Sequence, residues 1–159
     1  MMRLNVRNII VLVALTAGVS YAQQAEVKPK KPKPKGEAYL AGGQYGSGSI
    51  PLAQFDSLIG KPLIARDTLG RFCPVIKFDF TFAERGLYED STGRLTIMTD
   101  YYVTPSDSGA LLPPFWIEQL KRRAKIGDTV YFDQILAEYP DSVNAQHFYT
   151  HPLKLVISE

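Results

Sequence analysis

The chain contains little of the chemistry from which enzymes and metal proteins are built. It has 159 residues but one cysteine, Cys73, and two histidines, His147 and His151. A single cysteine can neither form an internal disulfide nor build a metal site alone. The histidines are four residues apart, a spacing that suits zinc on a helix, whereas in the strand-like segment before Pro152 they would lie far apart. We therefore predict no metal and no cofactor, and surface or turn positions for both histidines.

Catalytic and phosphate-binding motifs are also missing. The glycine-rich stretch AGGQYGSGS, residues 41–49, continues as Ile-Pro and not as the Lys-Ser/Thr of a phosphate loop. Its glycine spacing does not match a dinucleotide-binding fingerprint either. No Ser-His-Asp or Cys-His arrangement and no paired carboxylates stand out, so we predict that the chain is not an enzyme. Glycines that permit positive φ or close backbone approach explain the stretch better. The predicted structural turn residues are Gly42, Gly43, Gly46, Gly48, Gly127 and Asp128.

The chain has no apolar run long enough to cross a membrane. The run at residues 9–19, IIVLVALTAGV, has eleven residues, whereas a spanning helix needs about 20. Arg3 and Arg7 precede it, and small residues follow at Ser20 and Ala22. This pattern predicts a signal peptide over residues 1–22, cleaved after Ala22, and a periplasmic protein without a transmembrane helix after processing. The alternative is an uncleaved leader that attaches the protein to the membrane.

Positive charge is concentrated near the N-terminus. Residues 23–37 contain five lysines, two glutamates and three prolines, a composition that predicts a stiff, disordered tether. Without the leader and this tether, residues 38–159 carry 11 positive and 14 negative side chains, which argues against nucleic-acid binding. The tether is either a plain spacer or a contact for anionic cell-wall or lipid material. The candidate contact residues are Lys28, Lys30, Lys31, Lys33 and Lys35.

The remaining sequence is dominated by strand patterns. In VIKFDFTFAER, Ile76, Phe78, Phe80 and Phe82 alternate with polar residues and are predicted to face inward. Further strands are predicted after a turn at residues 90–93 and near the C-terminus. Many short strands separated by turns predict a mainly β domain over residues 38–159, an antiparallel β-sandwich with one or two short helices.

Two short helices interrupt these strands. Ser49 is predicted to cap the first, with Pro51 in its first turn and Gly60 at its end, and the second should run from Pro114 to Gly127. Cations crowd the end of the second helix, where the helix dipole favours them. The alternative is a docking patch for an acidic partner. The residues are Lys121, Arg122, Arg123 and Lys125.

Four stretches resemble, in the same order, the C-terminal periplasmic domain of the GldM/PorM family of type IX secretion and gliding motility. They are AYLAGGQYGSGSI, VIKFDFTFAER, LLPPFWIEQLKRRAKIGDTVYFDQILAEYPDS and HPLKLVIS. The third is the strongest match, with a basic helix, a Gly-Asp turn and a Val-x-Phe strand. The resemblance covers nearly all of residues 38–159 and implies an immunoglobulin-like sandwich with a scaffold role. The chain lacks the long periplasmic domains and the membrane helix of that family, so the resemblance implies a stand-alone terminal domain.

Together these patterns predict a non-enzymatic periplasmic interaction module, accessory to type IX secretion or gliding motility. Its partners would be envelope proteins, including secretion-ring or gliding components, and an exposed strand edge could receive a partner strand. The alternative is an envelope-binding protein that uses the Lys/Pro tether on anionic cell-wall or lipid material.

Overall fold

Strands dominate the computed structural model, which describes residues 33–106, 109–140 and 146–159. In chain order the elements are β1 (Gly36–Tyr39), β2 (Gly48–Pro51), α1 (Leu52–Leu58), β3 (Ile64–Asp67), β4 (Phe72–Glu89), β5 (Leu95–Ser106), α2 (Pro114–Arg123), β6 (Thr129–Glu138), β7 (His147–Tyr149) and β8 (Leu153–Ser158). The prediction of a mainly β fold with one or two short helices is therefore confirmed. None of the described helices has the length and apolar character needed to cross a bilayer. The predicted signal peptide and Lys28, Lys30 and Lys31 of the predicted tether lie outside the described residues.

The strands form a curled, mixed sheet in the order β1-β3-β4-β6-β8-β2, with β5 beside β4 and β7 beside β6. Each of these pairs is antiparallel except β2–β8, which is parallel. Two backbone bonds of 2.8 Å, from Lys35 N to Tyr149 O and from His151 N to Gly36 O, draw β1 against the end of β7. The finer expectation of an antiparallel immunoglobulin-like sandwich is not confirmed. The described strands form one connected, curled sheet, and β4 changes its register against β6 within it.

The bends in β4 and β6 change which residues face the core. The register of β4 against β6 shifts between Val75 and Asp79, and an inserted residue reverses the alternation of side chains. Cys73 and Val75 are therefore buried before the shift, whereas Phe78, Phe80 and Phe82 are buried after it. Ile76, which the sequence placed on the inward face, is only half-buried for this reason. In β6, Gln134 has a φ of +48° at the equivalent change of face.

The core is built from rings that these strands turn inward. The phenylalanines at positions 55, 78, 80, 82 and 132 are at most 2% exposed, and burial of one such ring stabilises the fold by about 1.5–3 kcal/mol. α2 begins at Pro114 as predicted and buries Leu120 completely, while Trp116 packs edge-on against Phe80 with ring centroids 5.8 Å apart.

The first helix starts later than the sequence indicated. α1 begins at Leu52, after Pro51, and no side chain caps its start. Ser49 is not its N-cap, because residues 48–51 are extended and pair with β8 as β2. The described domain also begins before residue 38, since β1 starts at Gly36 within the segment predicted as tether.

Candidate functional site

A two-stranded ribbon extends beyond the body of the sheet. The pairing of β4 with β6 ends at Ala83, whereas its pairing with β5 continues to Glu89. We call residues 84–100 the ribbon. Asp90 closes its turn by accepting hydrogen bonds at Oδ1 from Thr92 N (2.8 Å) and Arg94 N (3.0 Å). The Thr92 hydroxyl also donates to Asp90 Oδ1 at 2.6 Å. The side-chain bond from Thr92, followed by the two backbone bonds, lowers the pKa of Asp90 below its ordinary value.

Asp128 fastens the base of the ribbon. Its side chain is fully buried, and its Oδ1 accepts from the backbone N–H of Arg85 at 2.8 Å. Its Oδ2 accepts from the backbone N–H of Lys125 at 2.9 Å. Arg85 lies in β4 just beyond its last residue paired with β6, so the carboxylate provides an acceptor where the neighbouring strand no longer does. Gly127 enters this turn with a φ of +93°, a conformation that glycine adopts without strain. The structure thus places Gly127 and Asp128, both predicted as turn residues, at the base of the ribbon.

The basic end of α2 is partly engaged at the same place. Arg123 is paired with Glu84, donates to the Tyr102 hydroxyl at 2.9 Å, and stacks over the Tyr102 ring at 4.6 Å. The hydrogen bonds to Tyr102 and Glu84 raise the pKa of Arg123. Lys125 Nζ lies 3.5 Å from Glu84 Oε1. Two of the four cations predicted as a docking patch therefore hold the ribbon base, whereas Lys121 and Arg122 remain exposed.

One face of the ribbon and of β5 is apolar and exposed. Five large side chains on this face are between 58% and 70% exposed. They share a face because residues two apart on a strand point the same way and because Leu87 lies opposite Ile97. Single exposed apolar side chains are normal on a protein surface, but several on one strand face, here interrupted at Thr99, are typical of an interaction surface. We call this row the apolar stripe. It consists of Leu87, Leu95, Ile97, Tyr101 and Val103.

The outer edge of β5 is open. Within residues 33–106, 109–140 and 146–159, β5 pairs only with β4, so one edge of a strand from Leu95 to Ser106 presents unpaired backbone groups. Proteins usually protect such edges with charges, proline or bulges. Along its length, β5 carries a single charged residue, Asp100, and a proline only near its end, Pro105. No described strand pairs with the edge from Leu95 to Thr104, which makes it a candidate site for the addition of another strand.

A shallow cavity extends the apolar stripe at the ribbon base. Its volume is about 320 Å³, and Ile126 forms part of its wall with 55% of its surface exposed. Cationic side chains flank the apolar ones here, so this end of the surface suits a partner with both apolar and acidic groups. The lining residues are Arg85, Gly86, Leu87, Ile97, Lys125 and Ile126.

The glycine-rich stretch has a structural role, because it packs over the side chain of Arg66. The guanidinium of Arg66 lies between two rings, 5.1 Å from the centroid of Tyr39 and 4.6 Å from that of Phe72. Gly43, with a φ of +94°, lies over this stack, and a Cβ there would come within 3.1 Å of the Phe72 ring and 3.2 Å of Arg66 Nη2. Gly42 and Gly48 also have positive φ, whereas Gly46 does not. The stretch is a tight turn closed by backbone bonds between Leu40 and Tyr45.

Asp67 closes the turn from β3 to β4. Its Oδ1 accepts from Leu69 N and Arg71 N, both at 2.9 Å, and its Oδ2 accepts from Arg71 Nε at 2.9 Å. Burial alone would raise the pKa of Asp67, but the hydrogen bonds from Arg71 and Leu69 and the positive charge of Arg71 outweigh burial and lower it. Asp67 is therefore a stabilising carboxylate with its oxygens occupied.

The remaining candidates from the sequence are not brought together. His147 lies exposed on β7, with its Nε2 4.0 Å from Glu138 Oε2, while His151 follows β7 in an exposed position next to β1. Cys73 is buried. In the part of the chain that the structure describes, no group of three or more acidic, histidine or cysteine side chains is placed to hold a metal ion. Lys33 and Lys35 of the predicted tether are exposed, and the Lys35 backbone takes part in the closure of the sheet.

Comparison with known proteins adds no relative to this description. No protein-family model matches the chain, and no curated protein or solved structure matches it. The sequence interpretation found the ribbon strands and their turn but missed the exposure of the apolar stripe. The signal was present in β5, whose two faces are both partly apolar, so that periodicity alone does not mark either as the buried one.

Proposed function

We propose that this chain is a non-enzymatic protein-interaction module of the periplasm that binds through the apolar stripe and the open edge of β5. The observation that carries the proposal is the coincidence of the two on one strand. The edge offers main-chain hydrogen bonds and the stripe offers side-chain contacts, which are the two components of recognition by strand addition.

The energetics favour an occupied stripe. Burying one large apolar side chain contributes about 1.5–3 kcal/mol. A partner that covers half of the stripe therefore obtains a favourable contribution to its binding free energy that is several times RT. The ribbon is also held in a defined position by Asp128 and by Arg123 with Glu84. A surface that is already ordered loses less conformational entropy when it binds. Both considerations support a binding role for the ribbon.

We further propose that the module is an accessory of type IX secretion or gliding motility. This part rests on the resemblance of residues 38–159 to the C-terminal domain of the GldM/PorM family. It is tested by crosslinking the tagged full chain in its native envelope and identifying what is recovered. Secretion-ring or gliding components are the expected result, and recovery of only cell-wall fragments or unrelated proteins contradicts it.

The surface itself is tested by a matched pair of substitutions. Ile97→Lys places a charge in the centre of the apolar stripe, whereas Leu69→Lys changes a side chain that is 76% exposed in the turn before β4. We expect Ile97→Lys to reduce recovery of partners at least tenfold and Leu69→Lys to leave it unchanged. Equal recovery from both variants would remove the stripe from the proposal.

A second candidate function uses the predicted tether. Its five lysines within residues 23–37 form a dense positive charge, and about 1 kcal/mol per lysine is available near an anionic lipid surface. Replacing all five by glutamine should abolish binding of the full chain to anionic vesicles at low salt. Binding that persists after this replacement, or that is insensitive to salt, would leave the tether as a spacer.

A further inference from the structure

We propose that the strand received by the β5 edge is β5 of a second copy of this chain, in an antiparallel pair with a two-fold axis at Thr99. This inference rests on the proposed function, since it names the occupant of the same edge. The pairing would join two ribbons into one continuous four-stranded sheet, with the apolar stripes of both copies on one face.

The sequence of β5 is suited to pairing with itself. With the axis at Thr99, Leu95 of one copy lies opposite Val103 of the other, and Ile97 lies opposite Tyr101. Both pairs join apolar side chains and contain one β-branched residue, and the pair of Ile97 with Tyr101 also contains an aromatic ring; such cross-strand pairs stabilise a sheet. The four residues are each between 58% and 66% exposed in the described structure. Thr99 meets its own symmetry mate, a small polar pair at the centre.

Other symmetric registers are poorer. An axis at Asp100 would place two carboxylates directly opposite each other, and like charges in that position destabilise a pair. An axis at Met98 would leave Val103 opposite the turn residue Gly93, beyond the strand. The axis at Thr99 places Asp100 opposite Met98, so the one charge of the strand meets a neutral residue. The register is therefore selected by charge as well as by apolar contact.

The size of the contact indicates a weak and reversible dimer. Nine paired residues at about 3.4 Å each, on an edge about 10 Å high, bury about 400 Å² per copy after allowing for surface roughness. The total of about 800 Å² is below the 1,200 Å² or so at which stable complexes begin. Association should therefore depend on local concentration, and a covalent trap is the appropriate assay.

Cysteine crosslinking of the full chain reads the register directly. Thr99→Cys places one cysteine of each copy opposite the other, with their Cα atoms about 4.5–5.5 Å apart. This separation lies within the range of Cα–Cα distances that a disulfide spans. Copper phenanthroline is the oxidant, and the dimer is measured on a non-reducing gel. The chain without an added cysteine is the control, because its own Cys73 is fully buried.

Two further variants separate the proposed register from random collision. Ile97→Cys and Tyr101→Cys should each crosslink at least tenfold more slowly than Thr99→Cys, because Ile97 and its symmetry mate lie about 14 Å apart along the strands. Mixing these two variants should restore fast crosslinking, since positions 97 and 101 face each other across the axis. Fast dimer formation at position 99 and in the mixture is the expected result.

The failures of this inference and of the proposed function are distinguishable. Equal rates for all three variants with one added cysteine, or no dimer in any of them, would overturn the two-copy pairing. A photoreactive residue at position 97 is then used in the native envelope. An adduct with a different protein keeps the interaction function and rejects the second copy as occupant, whereas the lack of any adduct rejects both.

Discussion

The buried carboxylate of Asp128 should be among the most sensitive positions in the protein. It accepts one hydrogen bond from the backbone of Arg85 in β4 and one from that of Lys125 after α2. Asp128→Ala removes both acceptors and leaves two N–H groups without partners. Each such group costs about 1–3 kcal/mol when water cannot reach it. We therefore expect the free energy of unfolding to fall by about 2–6 kcal/mol, or by about 1–3 kcal/mol if water reaches the N–H of Lys125.

Urea unfolding of the full chain measures this loss. Trp116 is the only tryptophan and packs against Phe80, so its fluorescence reports on the core. Glu118→Ala is the matched control, because it also removes a carboxylate but from the exposed surface of α2, where substitutions change stability by no more than about 0.5 kcal/mol. Asp128→Asn, which keeps one carbonyl acceptor, should fall between the control and Asp128→Ala.

Amide hydrogen exchange tests the mechanism of the loss. The N–H groups of Arg85 and Lys125 should exchange slowly in the native protein and much faster in Asp128→Ala. A loss of stability below about 1 kcal/mol, less than one buried N–H without its partner costs, would refute the role given to this carboxylate. So would unchanged protection of the two amides.

Three further predictions follow from the core and the turns. Because the pKa of Asp67 is lowered on folding, its stabilisation is present above the ordinary pKa of 3.8 and is lost as pH falls through the lower pKa of the folded state. Asp67→Asn should therefore flatten the pH dependence of the urea-measured stability below pH 3.8, and an unchanged slope contradicts this. Gly36→Ala would place a Cβ 2.3 Å from Arg66 O, so overpacking should lower the free energy of unfolding by about 1–3 kcal/mol or more. The control is Gly42→Ala, which is strained by its φ but meets no neighbour within 4 Å. Gly36→Ala should therefore have the lower melting temperature of the two. Phe80→Ala, at a fully buried ring, should cost about 3–5 kcal/mol in urea unfolding, and a loss near zero would mean that the ring is not part of the core.

The elements that local patterns define well were predictable from the sequence. α2 begins at Pro114, which fits the first position of a helix. The strand around Phe80 and the turn at Asp90 lie where alternation and turn chemistry put them. In these cases the residues that determine the structure are neighbours along the chain.

What could not be predicted depends on partners distant in sequence. Ser49 fits a helix cap, but parallel pairing of residues 48–51 with β8 makes the segment a strand. Ile76 fits the inward alternation, but a register shift against β6 turns it away from the core. The projection of Leu87, Leu95 and Ile97 beyond the sheet likewise depends on β4 leaving β6 after Ala83, which no local pattern of β4 or β5 records.

The closure of the sheet by β1 determines how the protein responds to mechanical load. A pull transmitted by the chain before Lys33 reaches the fold at the bond from Lys35 N to Tyr149 O, and then at the bond from His151 N to Gly36 O. β1 has four residues, whereas β4 has 18 and is paired on both sides. The short strand therefore yields first and lengthens the connection, while the long strands and the ribbon they carry keep their shape. We therefore expect the ribbon and its exposed apolar face to stay folded under a tension that detaches β1.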